Sequence, residues 1–113
     1  AFYELVTPLM GFLGWPTLFC HRLEIEQGRI IGYRLRQEDS KRRAVSAFQG
    51  LNFKVIAAGD SHNDISMLTQ ADVGILFRPP DTMISDHPGF EVVNDHAVLG
   101  DAIEAAAKRL NKF

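Results

Sequence analysis

The sequence predicts an α/β fold in which helices flank a parallel β-sheet, with a β-hairpin ahead of the sheet. Two short, mostly apolar segments, 54–58 and 73–77, have the length and composition of strands buried on both faces. Segments with apolar residues at helical spacing precede, separate and follow these two strands. Strands that alternate with helices are typical of βαβ units, and therefore of a parallel sheet.

The first part of the chain predicts a helix and then the hairpin. Apolar side chains recur at helical spacing over residues 2–13, and Gly14 and Pro16 end that helix. The hairpin consists of a strand, a turn and a second strand, predicted at 17–25, 26–29 and 30–35.

The first twenty residues are apolar enough to suggest a signal peptide or a membrane span instead. Glu4, Pro8 and Pro16 interrupt the run and no basic leader precedes it, so both alternatives are disfavoured. Because the sequence starts at Ala1 inside a helix-like apolar stretch, we expect it to lack the true beginning of its protein.

The rest of the chain predicts the helices and strands of the sheet domain. The first helix is capped by Asp39 or Ser40 and carries an apolar face of Ala44, Val45, Phe48 and Leu51. Four further elements follow the strand at 54–58: a helix over 63–70, the strand at 73–77, a turn and short helix from 79–81, and a weak strand at 91–93. Asp95 caps a last helix whose predicted core stripe is Val98, Leu99, Ala102, Ile103, Ala106 and Leu110.

Composition restricts the classes of function. The chain has 113 residues, of which 46% are hydrophobic, so it can bury a core. Its net charge is −2 with acidic and basic residues intermixed, which predicts neither a nucleic-acid partner nor binding to a membrane surface. Cys20 is the single cysteine, so no intrachain disulfide can form, and we expect a reducing, cytoplasmic location.

The segment from Gly59 to Asp64 is the candidate site. Asp60 directly follows a predicted strand, where ligands bind in open α/β sheets, and Asp64 falls in the first turn of the next helix. Two carboxylates near one point suit Mg²⁺, which takes a few carboxylates together with water and phosphate. Asp and Asn are also common at turns and helix caps for local reasons, so the spacing alone does not establish a metal site.

The full string from Val55 to Leu68 resembles the last conserved motif of haloacid-dehalogenase-type phosphohydrolases, and 71–77 resembles the strand that follows it there. The resemblance is best to the phosphoserine phosphatase branch, and within it to the bacterial subgroup that also transfers phosphate to homoserine. Four further segments resemble that subgroup: 2–4, 14–17, 20–25 and 32–37. The likeness extends from Ala1 to about Asp86 and implies a Rossmann-like α/β core.

The resemblance implies a role for four residues. Asp60 would be a magnesium ligand, Asp64 would support the metal shell, and Asn63 would touch the substrate or its phosphate. Lys41 would bind phosphate and stabilise the nucleophile, which suits the need for a cation beside a transferring phosphoryl group. Without the resemblance, a lysine at a helix start is usually a solvated surface charge.

The resemblance also shows what this sequence lacks. The family nucleophile is an Asp in an Asp-x-Asp motif, and no Asp-x-Asp occurs in the 113 residues. The Ser/Thr phosphate motif and the cap are missing as well. We therefore expect residues 1–113 to be the C-terminal part of one catalytic domain, inactive on its own.

The intact enzyme would be a Mg²⁺-dependent phosphomonoester hydrolase of L-serine biosynthesis. It would act on a small phosphorylated metabolite through an aspartyl-phosphate intermediate, with transfer to homoserine as a variation in the acceptor. Two alternatives are a piece of the phosphorylation domain of a cation-pumping ATPase and a non-catalytic binding module of the same fold. The oligomeric state is not predicted.

Overall fold

A computed structural model describes residues 1–111 of the chain. The polypeptide divides into two compact units, an N-terminal unit of residues 1–40 and a C-terminal unit that starts at Lys41. The predicted fold class is confirmed: a parallel sheet flanked by helices, and an antiparallel hairpin.

The N-terminal unit consists of one helix and the predicted hairpin. Helix α1 spans Tyr3–Phe12, and strands β1 and β2 span Arg22–Glu26 and Arg29–Arg34. Both residues of the connecting turn, Gln27 and Gly28, have positive φ, at 50° and 74°. Two such residues make a type I′ turn, whose twist matches that of the paired strands.

The first hairpin strand is shorter than predicted. It begins at Arg22 and not at residue 17, because only residues from Arg22 onward find antiparallel partners on β2. His21 instead forms an isolated parallel bridge with Phe2. The 17–25 prediction was therefore wrong over its first five residues, since a strand-like composition needs a partner to become a strand.

The C-terminal unit contains a three-stranded parallel sheet in the order β3-β4-β5. Its elements alternate as predicted: α2 Ser40–Gly50, β3 Ile56–Gly59, a 3₁₀ turn His62–Asp64, α3 Ile65–Gln70, β4 Val73–Phe77, α4 Asp81–Asp86, β5 Glu91–Val93 and α5 His96–Leu110. The 3₁₀ turn and α3 together cover the predicted helix at 63–70.

The core of the C-terminal unit lies on both faces of this sheet. Ile75 and Leu76 are adjacent on β4, so their side chains point to opposite faces, and both are fully buried. Each belongs to its own buried cluster, Leu76 with Ala57, Leu68 and Met83, and Ile75 with Val93 and Ala102. The prediction of a strand buried on both faces is confirmed for β4.

That prediction was wrong for β3. Ala57 is buried but Ala58 is exposed, because β3 lies at the edge of the sheet and, among residues 1–111, pairs with β4 alone. An edge strand is covered on fewer sides than a central one.

Two predicted helix faces were too wide. In α2, Val45 is buried while Phe48 is 45% exposed, and Leu51 falls beyond the helix end and is 70% exposed. In α5, Ala102 and Ala106 are buried, but Val98 and Ile103 lie on the exposed side. The predicted cap of α5 is confirmed, since the Asp95 carboxylate accepts from the Ala97 and Val98 amides at 2.8 and 3.2 Å.

None of the helices described for residues 1–111 is long and apolar enough to cross a membrane.

Candidate active site

The site forms where β3 ends. Gly59 is the last residue of the strand, and Asp60 and Ser61 lead into the 3₁₀ turn and α3. This is the carboxyl edge of a parallel sheet, where α/β proteins bind their ligands. The structure therefore confirms the predicted strand-to-helix setting of Asp60 and Asp64.

Asp64 is the centre of the site. Its side chain is almost fully buried, and both carboxylate oxygens are engaged. Oδ1 lies 2.5 Å from Lys41 Nζ. Oδ2 accepts from the Asp60 amide at 3.2 Å, the Ser61 amide at 3.3 Å and the Ser61 hydroxyl at 3.1 Å. A buried carboxylate needs such partners, and here they also fix the shape of the loop.

The charge state of Asp64 follows from this environment. Burial acts to raise the pKa of the carboxyl group, but the hydrogen bond and positive charge of Lys41 and the hydrogen bonds from Ser61 outweigh it. The net effect lowers the pKa of Asp64 below its ordinary value. Asp64 is therefore a carboxylate at neutral pH.

Lys41 reaches the site from the first turn of α2, 23 residues before Asp64 in sequence. The rest of α2 is fastened to the sheet through Gln49. Its amide exchanges hydrogen bonds with Gln70 at 2.9–3.0 Å and donates to the Asp72 carboxylate at 3.1 Å. Asp72 in turn accepts from the Val55 amide at 2.8 Å. Lys41 thus reaches Asp64 from a helix that is tied to the segment between α3 and β4, and its side chain is paired with Asp64 while remaining 56% exposed.

Gly59 is required by the close approach of Asp64. A Cβ built on Gly59 would lie 2.6 Å from Asp64 Cβ and 2.7 Å from Oδ2. Its φ is not in the left-handed region, so the absence of a side chain matters for space and not for a sharp turn.

A cleft of about 510 Å³ opens beside these residues. Lys41, Asp60 and Asp64 line its polar side, and its other walls are Ala58, Gly59, Met67, Phe77 and Leu99. Asp60 is exposed, and among residues 1–111 its carboxylate makes no hydrogen bond or ion pair. Asn63 is exposed and contacts the Ser61 hydroxyl, but it does not line the cleft.

The sequence reasoning gave Ser61 no role. In the structure Ser61 caps the 3₁₀ turn and donates to Asp64 from both its amide and its hydroxyl. Its spacing of three residues from an acidic residue is the capping-box pattern, which could have revealed this contact.

The donor set is consistent with Mg²⁺ but small. Within residues 1–111, no group of three or more His, Cys, Asp or Glu side chains is arranged to hold a metal ion. Mg²⁺ keeps several waters and is usually bound by one or two carboxylates plus substrate phosphate. Asp60 offers to the cleft one carboxylate that has no partner within residues 1–111, whereas both oxygens of Asp64 already have partners.

Comparison with known proteins finds one family model and two phosphoserine phosphatases that this chain resembles. Residues 37–78, which include Lys41, Asp60, Asn63 and Asp64, match the family model of haloacid dehalogenase-like hydrolases. Phosphoserine phosphatase ThrH of Pseudomonas aeruginosa is 49% identical over 110 residues, which are 96% of this chain and 54% of that protein. A phosphoserine phosphatase of Pseudomonas syringae pv. tomato is 52% identical over 110 residues, 96% of this chain and 46% of that protein. The chain spans about half the length of these relatives.

Proposed function

From the resemblance of this chain to the haloacid-dehalogenase-like phosphatases, on the phosphoserine phosphatase branch, we propose that it forms the C-terminal part of a Mg²⁺-dependent phosphomonoester hydrolase. One observation carries the proposal at the level of chemistry. Lys41 lies 2.5 Å from buried Asp64 at the carboxyl end of β3, and the carboxylate of Asp60, which has no partner among residues 1–111, lines the same cleft. A fixed cation and a free carboxylate are what phosphate and a hard metal ion require.

Each site residue has a proposed role. Lys41 contacts a phosphate oxygen, and Asp64 holds the lysine in position while its contacts with Asp60 and Ser61 set the loop. Asp60 holds Mg²⁺, and Asp64 supports that metal shell through the loop that carries Asp60. Asn63, exposed at the same turn, contacts the substrate. When bound, Mg²⁺ would neutralise part of the negative charge on the phosphoryl group.

The nucleophile is proposed to be an aspartate outside this sequence, since the 113 residues contain no Asp-x-Asp. Its carboxylate would attack phosphorus as the bond from phosphorus to the substrate oxygen breaks, and that oxygen would take a proton from solvent to leave as the hydroxyl. Water would then attack the aspartyl-phosphate, which releases phosphate and the free carboxylate. Lys41 would lower the barrier of both steps by opposing the charge on the transferring group. The chain alone would therefore be inactive.

The proposed substrate is phosphoserine or a closely similar small phosphorylated metabolite. This follows from what the two relatives are called and from a cleft of about 510 Å³, which is in the size range of small-molecule sites. With homoserine in place of water as acceptor, the same intermediate would give phosphotransfer. We place the reaction in L-serine biosynthesis in the cytoplasm.

The test is Asp60→Asn in the whole protein that carries this chain. Asn serves the same turns as Asp, so without Mg²⁺ the melting temperature should stay nearly unchanged. Mg²⁺ affinity should fall by more than the roughly 10–100-fold that loss of an outer-shell partner costs, and phosphatase activity should fall with it. Added Mg²⁺ should raise the melting temperature of the unmutated protein and should do so far less in the variant.

Asp101→Asn is the matched control, since Asp101 is an exposed carboxylate on α5 that does not line the cleft. It should change neither activity nor the Mg²⁺ response. An active Asp60→Asn enzyme with an unchanged Mg²⁺ response would show that the loop is only a strand-to-helix turn. A whole protein that folds, binds no Mg²⁺ and hydrolyses nothing would instead indicate a non-catalytic module.

A further inference from the structure

The N-terminal unit has a second cleft, of about 480 Å³, and its charge is strongly positive. Arg22, Arg34 and Arg36 line it together with Tyr3, Leu18, Cys20 and Leu35. No carboxylate is among these residues, so the walls carry three guanidinium groups and no opposing charge.

The register of the hairpin brings these charges together. Arg22 on β1 lies directly opposite Arg34 on β2, and Arg36 follows two residues later along the same direction. The Arg36 amide donates to His21 Nδ1 at 2.9 Å, which holds this segment beside the start of β1. Like charges directly opposite each other destabilise a sheet, so the arrangement costs stability unless something of opposite charge is bound.

The protein compensates this charge only in part. Arg34 has one carboxylate partner, Glu24, with Nε and Oε1 3.5 Å apart, and its side chain is 79% exposed. Among residues 1–111, Arg22 and Arg36 form no ion pair; their guanidinium groups lie over the rings of Tyr3 and Phe19, at 4.3 and 5.3 Å from the ring centres. Stacking on a ring fixes the plane of a guanidinium group and leaves its N–H groups available at the edge.

Glu4, a carboxylate that Arg22 also influences, already has a partner. It accepts from the Leu23 amide at 2.9 Å, and this hydrogen bond is the largest cause of its lowered pKa, to which Arg22 adds a smaller effect. Glu4 is not part of the cleft wall.

We propose that the cleft of Arg22, Arg34 and Arg36 binds a small oxyanion-bearing metabolite, of the phosphate-monoester or polycarboxylate class. The planar guanidinium group can form two parallel hydrogen bonds to a phosphate or to a carboxylate. Arg22 and Arg36, which are stacked on aromatic rings, are oriented for such a bidentate contact. Tyr3, whose ring is stacked against Arg22, is part of the same wall. The site consists of residues of the N-terminal unit alone and is independent of the proposed phosphatase chemistry.

The experiment is a titration of the whole protein that carries this chain, followed by NMR of the arginine side-chain Nε–Hε groups. The Lys41→Ala background removes the other proposed phosphate contact. Inorganic phosphate and succinate are added in separate arms, with sodium chloride at equal ionic strength as the reference because salt screens exposed charges. Saturable shifts of the Arg22, Arg34 and Arg36 signals are expected in at least one arm, and the arm with the tighter binding identifies phosphate or carboxylate as the preferred group.

Variants then test the assignment. Arg22→Gln and Arg36→Gln should each weaken binding by about tenfold or more, the usual effect of losing a charged hydrogen-bond partner. Arg36→Lys should have an affinity between those of the wild type and Arg36→Gln, since it keeps the positive charge but loses the planar fork of the guanidinium group. Arg29→Gln is the control, because Arg29 lies opposite Glu26 beside the turn and outside the cleft.

Three results would overturn the proposal: shifts that do not saturate in either arm, equal shifts at Arg29, or unchanged affinity in both Gln variants. If a Gln variant loses the hairpin signals of the folded state, Arg36→Lys and the wild-type titration still decide the question. Failure here leaves the Asp60 test untouched, since neither the residues nor the readout are shared.

Discussion

The two units of this chain both contain many apolar residues, but they differ in how far those side chains are buried. Every fully buried side chain of residues 1–111 lies in the C-terminal unit, where Ile75 and Leu76 have no exposed surface. The N-terminal unit, whose forty residues are all described, has none, and Phe12 is 88% exposed. Helical and strand periodicity therefore identified elements in both units, but only one unit encloses a core of its own.

The difference extends to the charged groups. In the C-terminal unit a carboxylate is buried, paired with Lys41 and held by three further hydrogen bonds. In the N-terminal unit three arginines line an open cleft, and of these Arg34 has one weak ion pair, with Glu24. Burying a charge requires an opposite charge and hydrogen bonds in place of the water it loses, and Asp64 has both.

The largest expected effect tests the contrast in burial. Leu76→Ala removes a fully buried side chain and should lower the free energy of unfolding by about 2–5 kcal/mol. Ile31→Ala, on a β2 residue that is 60% exposed, should cost less than about 1 kcal/mol. Chemical denaturation of both variants measures this, and equal losses would mean that the hairpin is packed in solution as tightly as the sheet.

Gly59→Ala should cost about 1–3 kcal/mol, because the new Cβ must displace the Asp64 side chain. Displacing Asp64 would also loosen Lys41, so the proposed phosphatase activity of the whole protein should fall by more than the loss of stability explains. Gly89→Ala, where a Cβ would meet nothing within 4 Å, should stay within about 0.5 kcal/mol of the parent. Normal turnover by a folded Gly59→Ala variant of the whole protein would disprove the positioning role proposed for Asp64.

The paired carboxylate should also appear in the pH dependence of stability. The pKa of Asp64 is lower in the folded chain than in the unfolded one, so its contribution is present above its ordinary pKa and is lost as pH falls through the folded value. Stability should therefore fall in acid, below about pH 4.

Asp64→Asn should remove part of that fall. The variant should be less stable at pH 7 by about 1–3 kcal/mol, since Lys41 loses a charged partner, and its curve should approach that of the parent in acid. Glu4 and Asp72 also have lowered pKa values, so both proteins should still lose some stability as the pH falls. Denaturant titrations between pH 7 and pH 2 measure the free energy of unfolding of both proteins. If the two free energies change in parallel with pH, the Asp64 carboxylate is not the group responsible.

The smallest effects have opposite signs in the two units. Gly100 lies exposed within α5 with nothing near its Cβ position, so Gly100→Ala should stabilise the chain by about 0.5–1 kcal/mol. Gly14, which follows α1, has φ +77°, so Gly14→Ala should destabilise it by about 1 kcal/mol. Thermal melting resolves both, and a stabilising Gly14→Ala would show that α1 ends differently in solution.

Local patterns in the sequence were sufficient for much of the fold. The bounds of β4, the turn at Gln27 and Gly28, and the cap at Asp95 depend on side chains within a few residues of one another. The same holds for the position of Asp60 after a strand, which follows from an apolar run and a glycine. Such features are set by backbone preferences and by short-range hydrogen bonds, and both can be predicted from residues that are adjacent in the sequence.

The tertiary structure alone decided which of these residues act together. It brought Lys41 to Asp64 across 23 residues of sequence and gave Ser61 its hydrogen bonds to the same carboxylate. It also brought Asp64 so close to Gly59 that no side chain fits there. It also left Ala58 exposed on an edge strand whose sequence suited a buried one. Periodicity says which face of an element is apolar, but burial and ion pairing depend on what the rest of the chain brings against that face.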